Sequence, residues 1–400
     1  MSITSSLLGL GVAIPSWTCG RLWLLRLGYY KLTREKEQAE DWVWIVDHHI
    51  EVGEEKCLIV LGVRLSQLPA VGSCLRHEDV EPLELYPVRH SDGEVVYQQL
   101  EKTVEKTGVP RAIVGDHGSD LKKGIEKFCH QHEQTSYVYD IKHKTATVLK
   151  RELSQEPAWG EFTRLMGESK RRLQQTELAH LSPPAQRSKA RYMNLDKTVE
   201  WGVKVLELVD EVSQEVEPRA DGPRIEAKLG WIREYRKELA QWDQMLEVVN
   251  RTEGFVREQG LSQGCEAELE KQLKLEKASQ RTEKVRQELI DFVAGEGAKA
   301  KKGERLLGSS EVIESVIGKV KRVEGESTSR GITSLILSVA AVVSTTSKEV
   351  VQKALEKVKT KTVLKWSKEK LGKTIRAKRK ETFSGGERKE QKADQLKALT

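Results

Sequence analysis

The clearest patterning in the chain lies between residues 41 and 63. The run Trp42-Val43-Trp44-Ile45-Val46-Asp47 is followed by a polar turn around Gly53-Glu54-Glu55 and then by Lys56-Cys57-Leu58-Ile59-Val60-Leu61-Gly62-Val63. Two β-branched and aromatic runs across a glycine-bearing loop predict a hairpin. Leu83-Glu84-Leu85-Tyr86-Pro87-Val88 predicts a third strand, its proline placing it at an edge. From Val95 to Lys106 apolar residues recur at helical spacing, and Pro110-Arg111-Ala112-Ile113-Val114-Gly115-Asp116 predicts a buried strand. Ser119 or Asp120 is placed to cap a helix running through Ile125 and Phe128. Tyr137-Val138-Tyr139-Asp140 predicts a short strand ahead of a helix beginning near His143, so the order is β-β-β-α-β-α-β-α.

From about residue 150 to 305 the pattern turns helical and heavily charged, with Trp159, Trp201, Trp231 and Trp242 as core anchors. Pro183-Pro184 and Asp221-Gly222-Pro223 break it. Residues 311–323 predict an amphipathic helix and 331–359 further helices, while beyond 366 the apolar periodicity is lost. The run Ile332 to Val343 is about half the length a bilayer requires and reads as a buried helix. The apolar start, Ser6 to Pro15, lacks the positive leading segment of a signal peptide.

Composition narrows the class. With 38% hydrophobic and 32% charged residues and a mean hydropathy of −0.53, the 400-residue chain is no membrane bundle, and its length allows two or three domains. Net charge is +6, but residues 361–400 hold thirteen Lys or Arg against five Asp or Glu, so +8 sits there and −2 in the rest. Such a basic end is the electrostatic footprint of a protein that follows a phosphate backbone, or a solvated tail. Five cysteines without CxxC spacing point to a reducing cytoplasm rather than to disulfides or zinc.

Asp47 ends an apolar strand run, and Asp116 ends a second after Ala112-Ile113-Val114-Gly115. Burying the approach to a carboxylate is costly unless cations or hydrogen bonds compensate it, and two such endings suit a hard divalent cation. A third carboxylate is offered by the helix Glu311-Val312-Ile313-Glu314-Ser315-Val316-Ile317-Gly318-Lys319-Val320-Lys321. Glu314 borders its apolar strip and Glu311 shares the face of Ser315, so both remain candidates. Lys319 and Lys321 follow one to two turns on, where they can reach phosphate.

The strand Trp42–Asp47 with its hairpin, Asp-x-Gly-Ser-Asp-Leu at 116–121, the segment Tyr139-Asp140-Ile141-Lys142-His143-Lys144, and Ser-Ser-x-x-x-Glu-Ser at 309–315 together resemble a bacterial DDE-type transposase with a ribonuclease-H-like core. The resemblance covers roughly residues 15–365. It implies an α/β fold: a mixed sheet flanked by helices, a large all-helical insertion, and a helical basic C-terminus. The corresponding segments are 1–40 (a partial DNA-binding helical segment), 41–150 (first part of the core), 151–305 (insertion), 306–365 (last part of the core, with the third carboxylate) and 366–400 (basic tail). Asp47 to Asp116 is 116 − 47 = 69 positions, and Asp116 to Glu314 is 314 − 116 = 198, which demands the insertion.

In that family the triad matching Asp47, Asp116 and Glu314, with Glu311 as alternative, binds two Mg²⁺ ions, Mn²⁺ substituting, about 3.5–4 Å apart. Asp140 and His143 resemble the family's D-x-x-H signature, as a supporting shell. The activity implied is strand cleavage followed by attack of the freed 3′-hydroxyl on target DNA. The implied partners are element ends, target DNA and further copies of the chain on DNA, in a cytoplasmic, nucleoid-associated setting with no membrane. A domesticated DNA-binding remnant and a two-metal nuclease on the same core are the alternatives.

Pro15 to Gly28 reads as a capped helix similar to the last helix of a helix-turn-helix module, with Arg21 and Arg26 toward DNA, or as a helix that packs on the core. The fourteen residues before Pro15 do not accommodate the two earlier helices of such a module, so the expectation is a shortened start or end recognition from elsewhere. On the strand, His48 and His49 face opposite ways, so at most one joins Asp47. Gln186 to Tyr192 mixes basic and aromatic groups as a DNA grip or a charged loop. Ser384-Gly385-Gly386-Glu387 resembles an ABC-transporter signature fragment, but without a Walker A loop it does not support ATP binding.

Overall fold

The computed structural model describes residues 15–50, 55–185, 195–214, 220–275, 277–324, 332–373 and 375–383. The segments 186–192 and 384–387, and the apolar start up to residue 14, lie outside them. The chain divides into two units, 1–138 with 310–400, and 139–309.

The first unit begins with helix α1 (Trp17–Thr33), capped by the Ser16 side chain, and the hairpin β1 (Trp42–Ile50) and β2 (Lys56–Arg64). Then come β3 (Glu81–Val88), α2 (Gly93–Thr107), β4 (Ala112–Gly115), α3 (Ser119–Gln131) and β5 (Ser136–Tyr139), the last ending at the unit boundary. The strands form a five-stranded mixed sheet in the order β3-β2-β1-β4-β5, with β1/β2 and β2/β3 antiparallel and β1/β4 parallel. As its proline requires, β3 is an edge.

Alternation along β1 sends Trp42, Trp44 and Val46 into one core with Leu58, Val60 and Ile113, closed by Val96 and Leu100 of α2 and Leu121, Ile125 and Phe128 of α3. Each such burial contributes about 1.5–3 kcal/mol. Two expectations are corrected. Asp47 does not end its strand: β1 runs on to Ile50 because Asp47, His48 and His49 keep pairing with Ile59, Leu58 and Cys57 of β2. Neither Ser119 nor Asp120 caps α3; Gly118 occupies that position.

The second unit is helical: α4 (Ile141–Ser154), α5 (Pro157–Leu173), α6 (Leu195–Gln214), α7 (Gly222–Leu229), α8 (Arg236–Gln259), α9 (Glu266–Gln272) and α10 (Gln280–Gly297), with a two-residue bridge between Leu261 and Leu306. Phe162 is fully buried between Trp159, Trp231, Tyr235 and Trp242, and Trp159 meets Trp242 edge-on at 4.9 Å between ring centroids. Edge-to-face packing of this kind adds to the area term.

The chain then completes the first unit with α11 (Glu311–Glu324), α12 (Leu337–Val342), α13 (Lys348–Lys357), α14 (Thr360–Leu371) and α15 (Ile375–Phe383). Helices α14 and α15 thus reach into the basic end. Helix α1 crosses α12 so closely that a Cβ on Gly28 would meet the Leu337 carbonyl oxygen at 2.0 Å, so only glycine fits there. One turn on, the fully buried Lys31 donates to the carbonyls of Ala341, Val343 and Ser344 and to Thr346 Oγ1, satisfying the end of α12. Burial, with Arg34 adding to it, lowers the Lys31 ammonium to about 8.

Candidate functional site

The parallel pairing Val43↔Ala112, Trp44↔Ile113 and Ile45↔Val114 sets β1 beside β4, strands that run about 4.8 Å apart, and places Asp47 on β1 next to the end of β4, where Asp116 follows Gly115. Since Trp44 and Val46 lie in the α2/α3 core, alternation turns Asp47 to the opposite face of the sheet. Gly115 turns the other way, where a Cβ would sit 3.0 Å from Ile125 and Val46. Asp47 is buried, and its Oδ1 accepts the His48 N–H at 2.7 Å. Past the end of β4, Asp116 Oδ1 accepts the Gly118 N–H at 3.0 Å, an Asx turn, and its carbonyl accepts the Tyr137 hydroxyl.

Helix α11 packs on β1. Val312, Ile313, Val316 and Val320 are its buried face, and Glu311 and Glu314, both half-buried, fall in its first turn. Glu311 and Glu314 in this first turn suit the helix dipole. His77 clamps the middle of this helix: its Nε2 lies 3.1 Å from Ser315 Oγ and its Nδ1 2.6 Å from Lys319 Nζ. Burial, reinforced by the Lys319 charge, lowers the His77 imidazolium from its ordinary value, and since an ammonium can only donate, Nδ1 accepts from Lys319. Lys321 is exposed.

The donor chemistry at this end of the sheet is carboxylate oxygen, which fits a hard divalent cation. Among the described residues, however, Asp47, Asp116 and either glutamate do not converge with ligand atoms within 4.8 Å of one another, the compactness of a one-ion site. A two-ion site spreads its ligands about metals roughly 3.5–4 Å apart and does not need that closure.

Asp140 and His143 open the second unit. Asp140 is fully buried, caps α4 by accepting the Lys142 N–H, and lies 3.6 Å from His143 Nε2. Helix α4 thus starts two residues before His143.

The two arginines of α1 have intramolecular partners. Arg26 Nε donates to the Val358 carbonyl at 2.6 Å and its Nη2 to that of Leu355, closing the C-terminal turn of α13, and Arg21 Nη2 donates to Ser334 Oγ. That geometry favours the packing reading of this helix over the DNA-reading one.

A second polar cluster lies on the α3 side of the sheet. His48 Nδ1 lies 3.5 Å from Asp120 Oδ2, its Nε2 3.3 Å from Ser91 Oγ, and Lys56 Nζ reaches Asp120 at 2.8 Å. Burial opposes the Asp120 carboxylate, but the Lys56 hydrogen bond and His48 outweigh it and hold it below its ordinary value. Only the alternation of His48 and His49 hinted at it.

Among the described residues no helix is long and apolar enough to cross a membrane. No protein-family profile matches the sequence, and no curated protein matches it. Among solved structures, the chain is similar to the Drosophila P element transposase strand transfer complex, at 11% identity and a TM-score of 0.38, over 86% of this chain and 89% of that one.

Proposed function

We propose that the chain is a DDE-type DNA transposase whose catalytic carboxylates are Asp47, Asp116 and Glu314, with Glu311 as the competing third ligand. The observation that supports this reading is the parallel β1/β4 pairing, with Asp47 on β1, Asp116 just past the end of β4, and the glutamate-bearing helix α11 packed on the same strand β1. The bacterial, ribonuclease-H-like assignment rests on the motifs quoted above.

These carboxylates would hold two Mg²⁺ ions, which supply activation of the attacking oxygen and stabilisation of the leaving one. The chain's own contribution is placement. The β1/β4 pairing keeps Asp47 and Asp116 from drifting apart, the Asx turn at Gly118 orients Asp116, and the His77 clamp on Ser315 and Lys319 fixes the rotation of α11 and hence of its first-turn glutamates. A rigid mount of this kind matters because a misplacement of about 1 Å can cost roughly a hundred-fold in rate.

The test is metal-dependent nicking and joining of supercoiled plasmid DNA by the purified chain. Cleavage with joining, abolished in Asp47→Asn and Asp116→Asn, supports the reading; nicking without joining indicates a nuclease, and neither reaction a binding remnant. Glu314→Gln against Glu311→Gln identifies the third ligand.

A further inference from the structure

Most of the described part of the basic C-terminal end is helix. Val363 is the buried contact of α14, which packs against α1 and β3. On its opposite face Lys361, Lys365 and Lys368 fall within an arc of about 60° and over about 10 Å of axis. All three are exposed. Among the described residues neither Lys361 nor Lys368 has an acidic partner, and Lys365 has only the exposed Glu369 at 3.8 Å.

Like charges three and four residues apart destabilise a helix by about 0.2–0.5 kcal/mol per pair. On α5, by contrast, Arg164 is bracketed by Glu161 and Glu168. An uncompensated stripe on a folded helix calls for an anionic partner. Duplex DNA presents one charge per about 1.7 Å of axis, so about 10 Å offers roughly six phosphates to such a row. A lipid surface fits less well, because this face carries a single large exposed apolar side chain, Leu364, where insertion needs an apolar face.

The geometry points to α14 as a sequence-independent duplex-backbone contact through Lys361, Lys365 and Lys368. This rests on the DNA-processing reading above and adds to it where the duplex is gripped.

The experiment is fluorescence-anisotropy titration of the full chain with a 30-base-pair duplex of arbitrary sequence across a range of salt concentrations. It compares wild type with K361Q/K365Q/K368Q and with a charge-matched control, K197Q/K204Q/K237Q, whose exposed lysines lie in the second unit. Far-UV circular dichroism checks that each folds. The expected result is binding more than roughly ten-fold weaker at 0.1 M salt for the α14 variant, with its log–log salt slope flattened by about 2.7, and an unchanged slope for the control. Wild-type binding with the α14 variant unaltered overturns the inference and leaves the DNA reading standing. No duplex binding by wild type overturns both. Loss of binding to phosphatidylserine vesicles but not to duplex assigns the stripe to lipid and likewise overturns it.

Discussion

The two units differ in where their polar groups are concentrated. In the helical unit charges are neutralised where they stand: Arg164 by Glu161 and Glu168, Arg233 by Asp210 and Glu226, Arg151 and Lys144 by Glu288. Its core is built on aromatic packing around Phe162, and two carboxylates it buries, Asp140 and Glu152, lie at its helix α4. In the sheet unit polar groups are brought onto or under the sheet itself, with Asp47, His48 and His49 buried on a strand whose preceding residues are all apolar. Burying carboxylate and imidazole on a rigid element costs free energy that packing alone does not return. Polar groups kept at such a cost mark where chemistry is to be sought, whereas paired surface charges mark only solvation and helix stability.

The largest expected effect tests that contrast directly. Asp47→Asn and Asp116→Asn should each lower metal-dependent cleavage by about a thousand-fold, roughly 4 kcal/mol of transition-state stabilisation, with unaltered circular dichroism. Equal losses from substitutions in the aromatic cluster with folding intact would erase the distinction between the units.

In the helical unit, Phe162→Ala should instead cost about 3–5 kcal/mol of stability, read from urea denaturation, because it empties the centre of the aromatic cluster. Lys31→Met should cost about 1–3 kcal/mol by leaving the acceptors at the end of α12 unsatisfied; a neutral or stabilising result would show that removing the buried ammonium offsets them.

A smaller effect concerns pH. The hydrogen bond from Arg151, helped by Lys144, holds the Glu288 carboxyl down to about 2 against an ordinary 4.5. A depressed folded value contributes stability present above about pH 4.5 and lost as pH falls toward 2. Thermal melts of Glu288→Gln should lose part of the wild-type acid sensitivity in that window. The smallest effect is expected at Arg164→Ala, an exposed site worth about 0.2–1 kcal/mol by chemical denaturation.

Much of the sheet was legible from periodicity. The β1/β2 hairpin, β4, the edge character of β3 and the helix beginning at Glu311 all follow from runs whose neighbours sit close in sequence. The continuation of β1 through Asp47 was not, because polar residues there are kept in the strand by pairing with β2 rather than by their own propensity. Nor was the fate of Arg21 and Arg26 readable, since their acceptors lie more than 300 positions away. The same holds for the cluster of His48 with Asp120 and Ser91, which joins a strand, a loop and a helix.

Local pattern thus determined which stretches are strands and helices and which acidic residues stand at the ends of apolar runs, because side-chain alternation and helical period are properties of neighbouring residues. Only the tertiary structure decided that the strand carrying Asp47 pairs with the strand that Asp116 follows, that α11 rests on β1, and that Arg26 and Lys31 are spent on backbone carbonyls inside the protein. Strand pairing and helix docking are set by the joint burial of surfaces from distant segments, and no window of the sequence contains both partners.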